Sequence, residues 1–186
     1  KFAGNEGFPT DLLMGAEGPG WVSVGGSGCD HLGRWDAEQT VVTNSAGVAA
    51  HMMAEYAFGC ALHFSLDIEG LARDKAARHW NSARLMVPLK GKTLLIVGLG
   101  QTGQAVAKRA QAFGMHVIGT RARPEPMDNL DEVHAAEDLP KLWGRADMIV
   151  VAVPLLPSTR GMIGAEDFAA MKSSAVLVDV SRGGVI

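Results

Sequence analysis

Thr93-Leu94-Leu95-Ile96-Val97-Gly98-Leu99-Gly100-Gln101-Thr102-Gly103 decides how this chain folds. The first five residues are an apolar run of strand length. From Gln104 to Phe113, Ala105, Val106 and Ala110 recur at helical spacing, and Gly114 stands where a helix ends. Between strand and helix lies G-x-G-x-x-G. Gly98 permits the tight turn, Gly100 lets the backbone approach a pyrophosphate, and Gly103 lets the helix sit close to the strand. A phosphate placed there meets the unpaired N–H groups and the positive end of the helix. The stretch predicts a dinucleotide site, a purely structural glycine turn being the alternative.

Downstream, strands and helices alternate. Residues 115–119, 131–134, 148–153 and 175–180 read as strands, and 137–143 and 165–171 as helices. Near-continuous apolar strands between helices mean a parallel sheet covered on both faces, an α/β, doubly wound, Rossmann-like domain. Upstream, 9–16 reads as a short helix. Residues 21–24 read as a strand running into Gly25-Gly26-Ser27-Gly28, and 30–34 as a short helix. Thr40 to Thr43 is a second short strand, after which Asn44 or Ser45 can cap a long helix from Val48 to Leu66 or beyond. That helix carries Val48, Met52, Met53, Tyr56, Phe58, Leu62 and Phe64 on nearly every face, which predicts burial all round. The charges of its continuation, Arg73, Lys75, Arg78 and His79, read as a solvated face.

Composition excludes several classes. The chain has 186 residues, long for one domain and short for two. Lys and Arg number 17 against 20 Asp and Glu, a net charge of −3, so nothing argues for nucleic acid or an anionic lipid surface. The longest apolar runs are about half a bilayer span, so no membrane crossing is expected. Cys29 and Cys60 make neither a disulfide framework nor a zinc site, a usage that fits the cytoplasm. Glycine is high at 23 residues, as in proteins that hold ligands through main-chain amides. The chain opens on Lys1 and stops just past a strand, so it reads as a fragment.

The end of the second strand bears on the cofactor. An NAD site usually offers Asp or Glu there for the ribose hydroxyls. This chain has Thr120-Arg121-Ala122-Arg123, with no acidic residue before Glu125. Arg121 and Arg123 would attract a 2′-phosphate where a carboxylate would repel one. The reading favours NADP over NAD, a plain surface loop being the alternative.

Four segments together resemble the D-isomer-specific 2-hydroxyacid dehydrogenases: Gly26 to His31; Thr43 to Val48 with Ala54-Glu55-Tyr56; Leu89 to Gly103; and Val153 to Gly161 with Val178 to Gly183. The resemblance covers about residues 20–186. It implies that Ser27 and Gly28 hold the substrate carboxylate through main-chain N–H groups, although the two would also serve as a plain turn. It implies dinucleotide contacts at Gln101, Thr102, Arg121, Val153, Pro154, Thr159, Val180 and Ser181, and a catalytic arginine at Arg182. Val153 and Pro154 could equally just end a strand. Asp179 departs from the Asn that many members carry. The resemblance also implies that residues 1–43 are a remnant of a truncated flavodoxin-like substrate domain and 44–186 the dinucleotide-binding domain. The helix apolar on nearly every face predicts a homodimer through 48–80, and the resemblance implies the same; no metal is expected.

The implied reaction is hydride transfer between NAD(P)H and a small 2-keto or 2-hydroxy acid. The stretch Pro154 to Pro157 resembles the glyoxylate and hydroxypyruvate reductase branch. A corepressor-like dinucleotide sensor, or a formate, phosphite or phosphoglycerate dehydrogenase on the same scaffold, stays open. In the family a Glu and a His follow the arginine and supply the proton. Nothing here follows Ile186, so the 186-residue chain alone is expected to lack useful turnover. Among the histidines present, His51 and Glu55 are spaced to form an internal polar contact. His31 reads as a helix-start residue, and His63, His79, His116 and His134 show no partner pattern.

Overall fold

Five strands, parallel throughout, form the central sheet: β3 (Thr93–Val97), β4 (His116–Thr120), β5 (Glu132–His134), β6 (Met148–Val151) and β7 (Val176–Asp179). Their order is β5-β4-β3-β6-β7, so the chain builds outward from β3 and then crosses back to its other side. The structure is a computed structural model, and it describes residues 9–186. Residues 1–8 of the expected N-terminal remnant lie outside the described residues.

Alternation along the strands sorts the core onto two faces. Leu94 and Ile96 join Val117, Met148 and Val150 on one face. Leu95 and Val97 join Ile118, Ile149 and Val151 on the other. Each side chain so buried contributes roughly 1.5–3 kcal/mol. The first face is covered by α2 (Ala50–Ser65) and α4 (Gln101–Ala112). The second is covered by α5 (Leu139–Leu142) and Trp143, which is 1% exposed and donates its indole N–H to Asp167 at 2.7 Å.

Several expectations shift at their ends. Helix α4 starts at Gln101 rather than Gln104, because Gly100 is its N-cap and the last glycine of the motif sits in the first turn. It stops as expected: Gly114 has φ +67°, Gly114 N–H donates to Gln111 and Met115 N–H to Ala110, which closes the last turn. The helix expected over 137–143 is one α turn flanked by 3₁₀ turns, 136–138 and 143–145, with Pro140 in its first turn. Helix α6 (Ala165–Ala170) is tied to this layer through Asp167, which accepts from Trp143.

A second, two-stranded parallel sheet joins β1 (Trp21–Val24) to β2 (Val41–Asn44), and α1 (Thr10–Met14) precedes it. Neither Asn44 nor Ser45 caps α2. Its N-cap is Ala49 without a side-chain bond, and Asn44 instead ends β2 and donates to Ser27 O at 2.8 Å.

Helix α2 is not buried all round. Ala50, Ala54, Ala57, Phe58 and Ala61 form its inner stripe, at the spacing of one helix face. Val48 before the helix, and Met52, Tyr56 and Phe64 on it, are 60–82% exposed in the single chain. The alanines let α2 lie close to α4, with Phe58 stacked on Phe113 at 5.0 Å, and Met52, Tyr56 and Phe64 face away. At Asp67, φ +47° breaks the path before α3 (Ile68–Ala76), whose Arg73 and Lys75 are solvated as expected, as are Arg78 and His79 just beyond its end. His51 and Glu55 are both exposed and, among the described residues, are not paired with each other; Glu55 instead pairs with Arg109 of α4 at 2.9 Å. Among the described residues, no helix is long and apolar enough to cross a membrane.

Candidate active site

The strand order reverses at β3, between β4 and β6, and such points open a crevice at the carboxyl ends of the strands. A cleft of about 510 Å³ lies there. Gly100, Gln101 and Thr102 line one side, and Val153, Pro154, Val180, Ser181 and Arg182 line another. Ser27 and Gly28 close it from the β1 side. Ten of the residues singled out from the sequence therefore meet in one place.

The glycine loop explains its own composition. Gly98 has φ +101°, and a Cβ there would lie 2.8 Å from Val153 Cγ1 and 2.9 Å from Ala152 O. A Cβ on Gly103 would collide with Gly98 O, so α4 packs on β3 with no room to spare. A Cβ on Gly100 would meet nothing within 4 Å, so the loop is open where a ligand's phosphate would approach. With no side chain capping α4, its first N–H groups face the cleft. These features fit a dinucleotide pyrophosphate. Gly98 and Gly103 act beneath the cleft rather than in its wall.

Arg182 follows β7 and extends toward the Ser27–Gly28 turn. Its Nε lies 3.8 Å from Asp30 Oδ1 and its Nη1 donates to Ser181 O at 3.0 Å. A Cβ on Gly28 would strike the Arg182 guanidinium, so that glycine makes room for it. The turn behind Arg182 is fixed by Asp179, which accepts from Ser181 N–H at 2.7 Å and from the Ser181 hydroxyl. Thr159 stands behind the cleft: its hydroxyl donates to Pro154 O at 2.6 Å and accepts from Leu156 N–H at 2.8 Å, which shapes the loop after β6.

Arg121 and Arg123 lie outside the cleft walls. Arg121 Nη1 donates to Glu125 Oε1 at 2.8 Å and contacts Met127 Sδ at 3.2 Å; Arg123 is exposed. The sequence reading passed over Asn44, Asp30 and Trp35, which also border the cleft. Asn44 had a signal in its position between a strand and a helix, but its amide serves the Ser27 loop rather than the helix. Trp35 had none.

Three histidines read without a partner, His63, His116 and His134, are paired. His116 Nε2 is 2.9 Å from Glu132 Oε1 and His134 Nε2 is 2.8 Å from Glu132 Oε2, with Arg145 joining from behind β5. Arg145, then His134 and His116, hold the Glu132 carboxyl well below the ordinary carboxylate range. His63 lies 3.5 Å from Glu69. Neither group touches the cleft. Among the described residues, no cluster of His, Cys, Asp or Glu could hold a metal, and both cysteines are free.

The sequence model of the D-isomer specific 2-hydroxyacid dehydrogenase NAD-binding domain matches residues 58–186. The chain belongs to the D-isomer-specific 2-hydroxyacid dehydrogenase family. It is 34% identical over 180 residues to the D-3-phosphoglycerate dehydrogenase of Methanocaldococcus jannaschii, which covers 95% of this chain and 34% of that protein. It is 35% identical over 184 residues to the hydroxypyruvate reductase of Thermotoga maritima, covering 95% of this chain and 58% of that one. The chain thus spans about a third to three fifths of the length of these relatives. Its structure is similar, with a TM-score of 0.84 and 31% identity, to a D-isomer specific 2-hydroxyacid dehydrogenase family protein from Aeromonas salmonicida, covering 94% of this chain and 56% of that one. The family's NAD-binding domain accounts for the glycine loop and the parallel sheet.

Proposed function

We propose that this chain is the cofactor-binding part of an NADP-preferring oxidoreductase that reduces a small 2-keto acid such as glyoxylate or hydroxypyruvate. One observation carries the reading: the glycine loop, the Ser27–Gly28 turn and Arg182 converge on a single cleft. Gly100, Gln101 and Thr102 would hold the pyrophosphate, Val153, Pro154, Val180 and Ser181 would line the nicotinamide side, and Thr159 would fix the loop between them. The bound cofactor supplies the hydride. The N–H groups at Ser27 and Gly28 would hold the substrate carboxylate. Arg182 would bind that carboxylate and polarise the keto oxygen, since a guanidinium does both without titrating.

The alkoxide also needs a proton, and among the described residues no histidine lines the cleft. Turnover by this chain alone is therefore expected to be ~10²-fold or more below that of an enzyme with a placed general acid. Residues 1–43 are read as part of the substrate domain and 44–186 as the dinucleotide domain, a division supported by the separate β1–β2 sheet. The exposed apolar face of 48–80 supports a homodimer built on that segment. Light scattering should give twice the 19.6 kDa chain mass, and a stable monomer at micromolar concentration would refute the dimer.

The test of the site is binding rather than turnover. NADPH should bind the protein, and oxamate, an unreactive 2-keto acid mimic, should then bind the complex. Arg182→Gln should weaken oxamate about tenfold or more, the worth of one charge-assisted bond, and leave NADPH affinity unchanged. Oxamate affinity untouched by that change would remove Arg182 from the site. The phosphoglycerate dehydrogenase relative favours a second substrate reading, and a screen that finds 3-phosphohydroxypyruvate the better ligand would select it.

A further inference from the structure

The cation expected to meet a 2′-phosphate is already engaged. Arg121 Nη1 is held by Glu125 at 2.8 Å, with Met127 Sδ at 3.2 Å on the same nitrogen. Glu125 stands between Pro124 and Pro126. Each proline fixes its own φ and restricts the residue before it, so Arg123 and Glu125 are both biased to extended backbone. The carboxylate is therefore presented to Arg121 by a stiff segment rather than by a freely rotating loop. The Arg121 side chain is 32% exposed and that of Glu125 is 66% exposed, so the pair is open to an incoming anion. Nε and Nη2 of Arg121 have no hydrogen-bond partner among the described residues, which leaves the guanidinium able to take a second anion.

We propose that Glu125 is a specificity-determining residue that competes with the 2′-phosphate of NADP for Arg121 and so sets how strongly the site prefers NADP over NAD. The inference rests on the proposed role of Arg121. A 2′-phosphate bound to Arg121 gains a charge-assisted contact but must share the guanidinium with a carboxylate or displace it. It also approaches a like charge at short range. NAD brings only a neutral hydroxyl to the same place and meets neither cost. Glu125 thus moderates a preference that Arg121 creates. An exposed pair is weak, so the moderation is partial and is reduced by salt.

The experiment measures 2′,5′-ADP and 5′-AMP binding by calorimetry, which reports the adenosine end without any reaction. Glu125→Gln should tighten 2′,5′-ADP about three- to tenfold and leave 5′-AMP unchanged. Arg121→Ala should weaken 2′,5′-ADP about tenfold or more, and adding Glu125→Gln to it should restore little, because the competition needs the guanidinium. If Glu125→Gln leaves 2′,5′-ADP unchanged or weakens it while Arg121→Ala still weakens it, the competition is refuted and the role of Arg121 survives. If Arg121→Ala has no effect, both fall. A tightening that persists in full in the double variant overturns the route through Arg121. Thermal melting of each variant establishes that the fold is unchanged.

Discussion

The two loops that follow β3 and β4 stand side by side at the end of the sheet and are built from different material. The loop after β3 is backbone: glycines at 98, 100 and 103, a positive φ at Gly98 and a helix that begins at once. The loop after β4 is side chain: Arg121, Glu125 and Met127 gathered at the surface with prolines between them. The first is fixed by packing in which a methyl group at Gly98 or Gly103 has no room. The second is fixed by one exposed ion pair worth about 0–1 kcal/mol. On the proposed reading, the pyrophosphate would thus meet a rigid loop, whereas the ribose would meet a soft one that a single substitution can retune.

Substitution in the backbone loop should have the largest effect. Gly103→Val forces α4 away from Gly98 O and should cost about 3 kcal/mol or more, with loss of NADP and NAD binding alike. Gly100→Ala places its methyl in open space, so stability should change by under ~1 kcal/mol while both cofactors bind more weakly. Urea denaturation and calorimetry check both, and equal destabilisation by the two would break the account of the loop. In the side-chain loop, Arg121→Asp should leave stability within ~1 kcal/mol but shift the NADP-to-NAD affinity ratio by about tenfold to a hundredfold. A ratio that does not move would show that the ribose end is not read there.

The loop after β6 sharpens the contrast because one hydroxyl holds it. Thr159→Ala removes the bonds to Pro154 O and Leu156 N–H and should cost about 1 kcal/mol, with a modest loss of cofactor affinity. The smallest effect belongs to the β4–β5 edge. Glu132 has a depressed folded pKa against an unfolded value of 4.5, so its stabilisation is present above pH 4.5 and is lost as pH falls below it. Glu132→Gln should be less stable than the unaltered protein at pH 7, and the gap should close on acidification below pH 4.5. A gap that widens toward acid would reverse the assignment.

What could be read in advance follows the same division. Gly98 and Gly103 were legible because a turn and a helix contact each constrain one residue locally. Gly114 was legible for the same reason. The contact of His116 with Glu132 was not, because it exists only through the β4–β5 register that sets Ile118 beside Glu132. The Arg121–Glu125 pair depends on how two prolines turn a short loop. The outer face of α2 shows a further limit: an apolar residue count predicts burial, but it does not say whether the cover comes from the same chain. Asn44, which with Ser45 could cap the helix that follows, bonds to the Ser27 loop instead, since a strand-end amide can serve either the next helix or a neighbouring loop.

The central claim is that one cleft between β3, β6 and the Ser27 loop receives the dinucleotide. An amide chemical-shift map of the protein titrated with NADPH tests it most directly. The account predicts saturable shifts concentrated at 98–103, 152–156, 180–182 and Arg121, with Glu132 and the outer face of α2 unmoved. Shifts confined to the outer face of α2 or to the β5 edge, or no saturable shifts at millimolar NADPH, would contradict it.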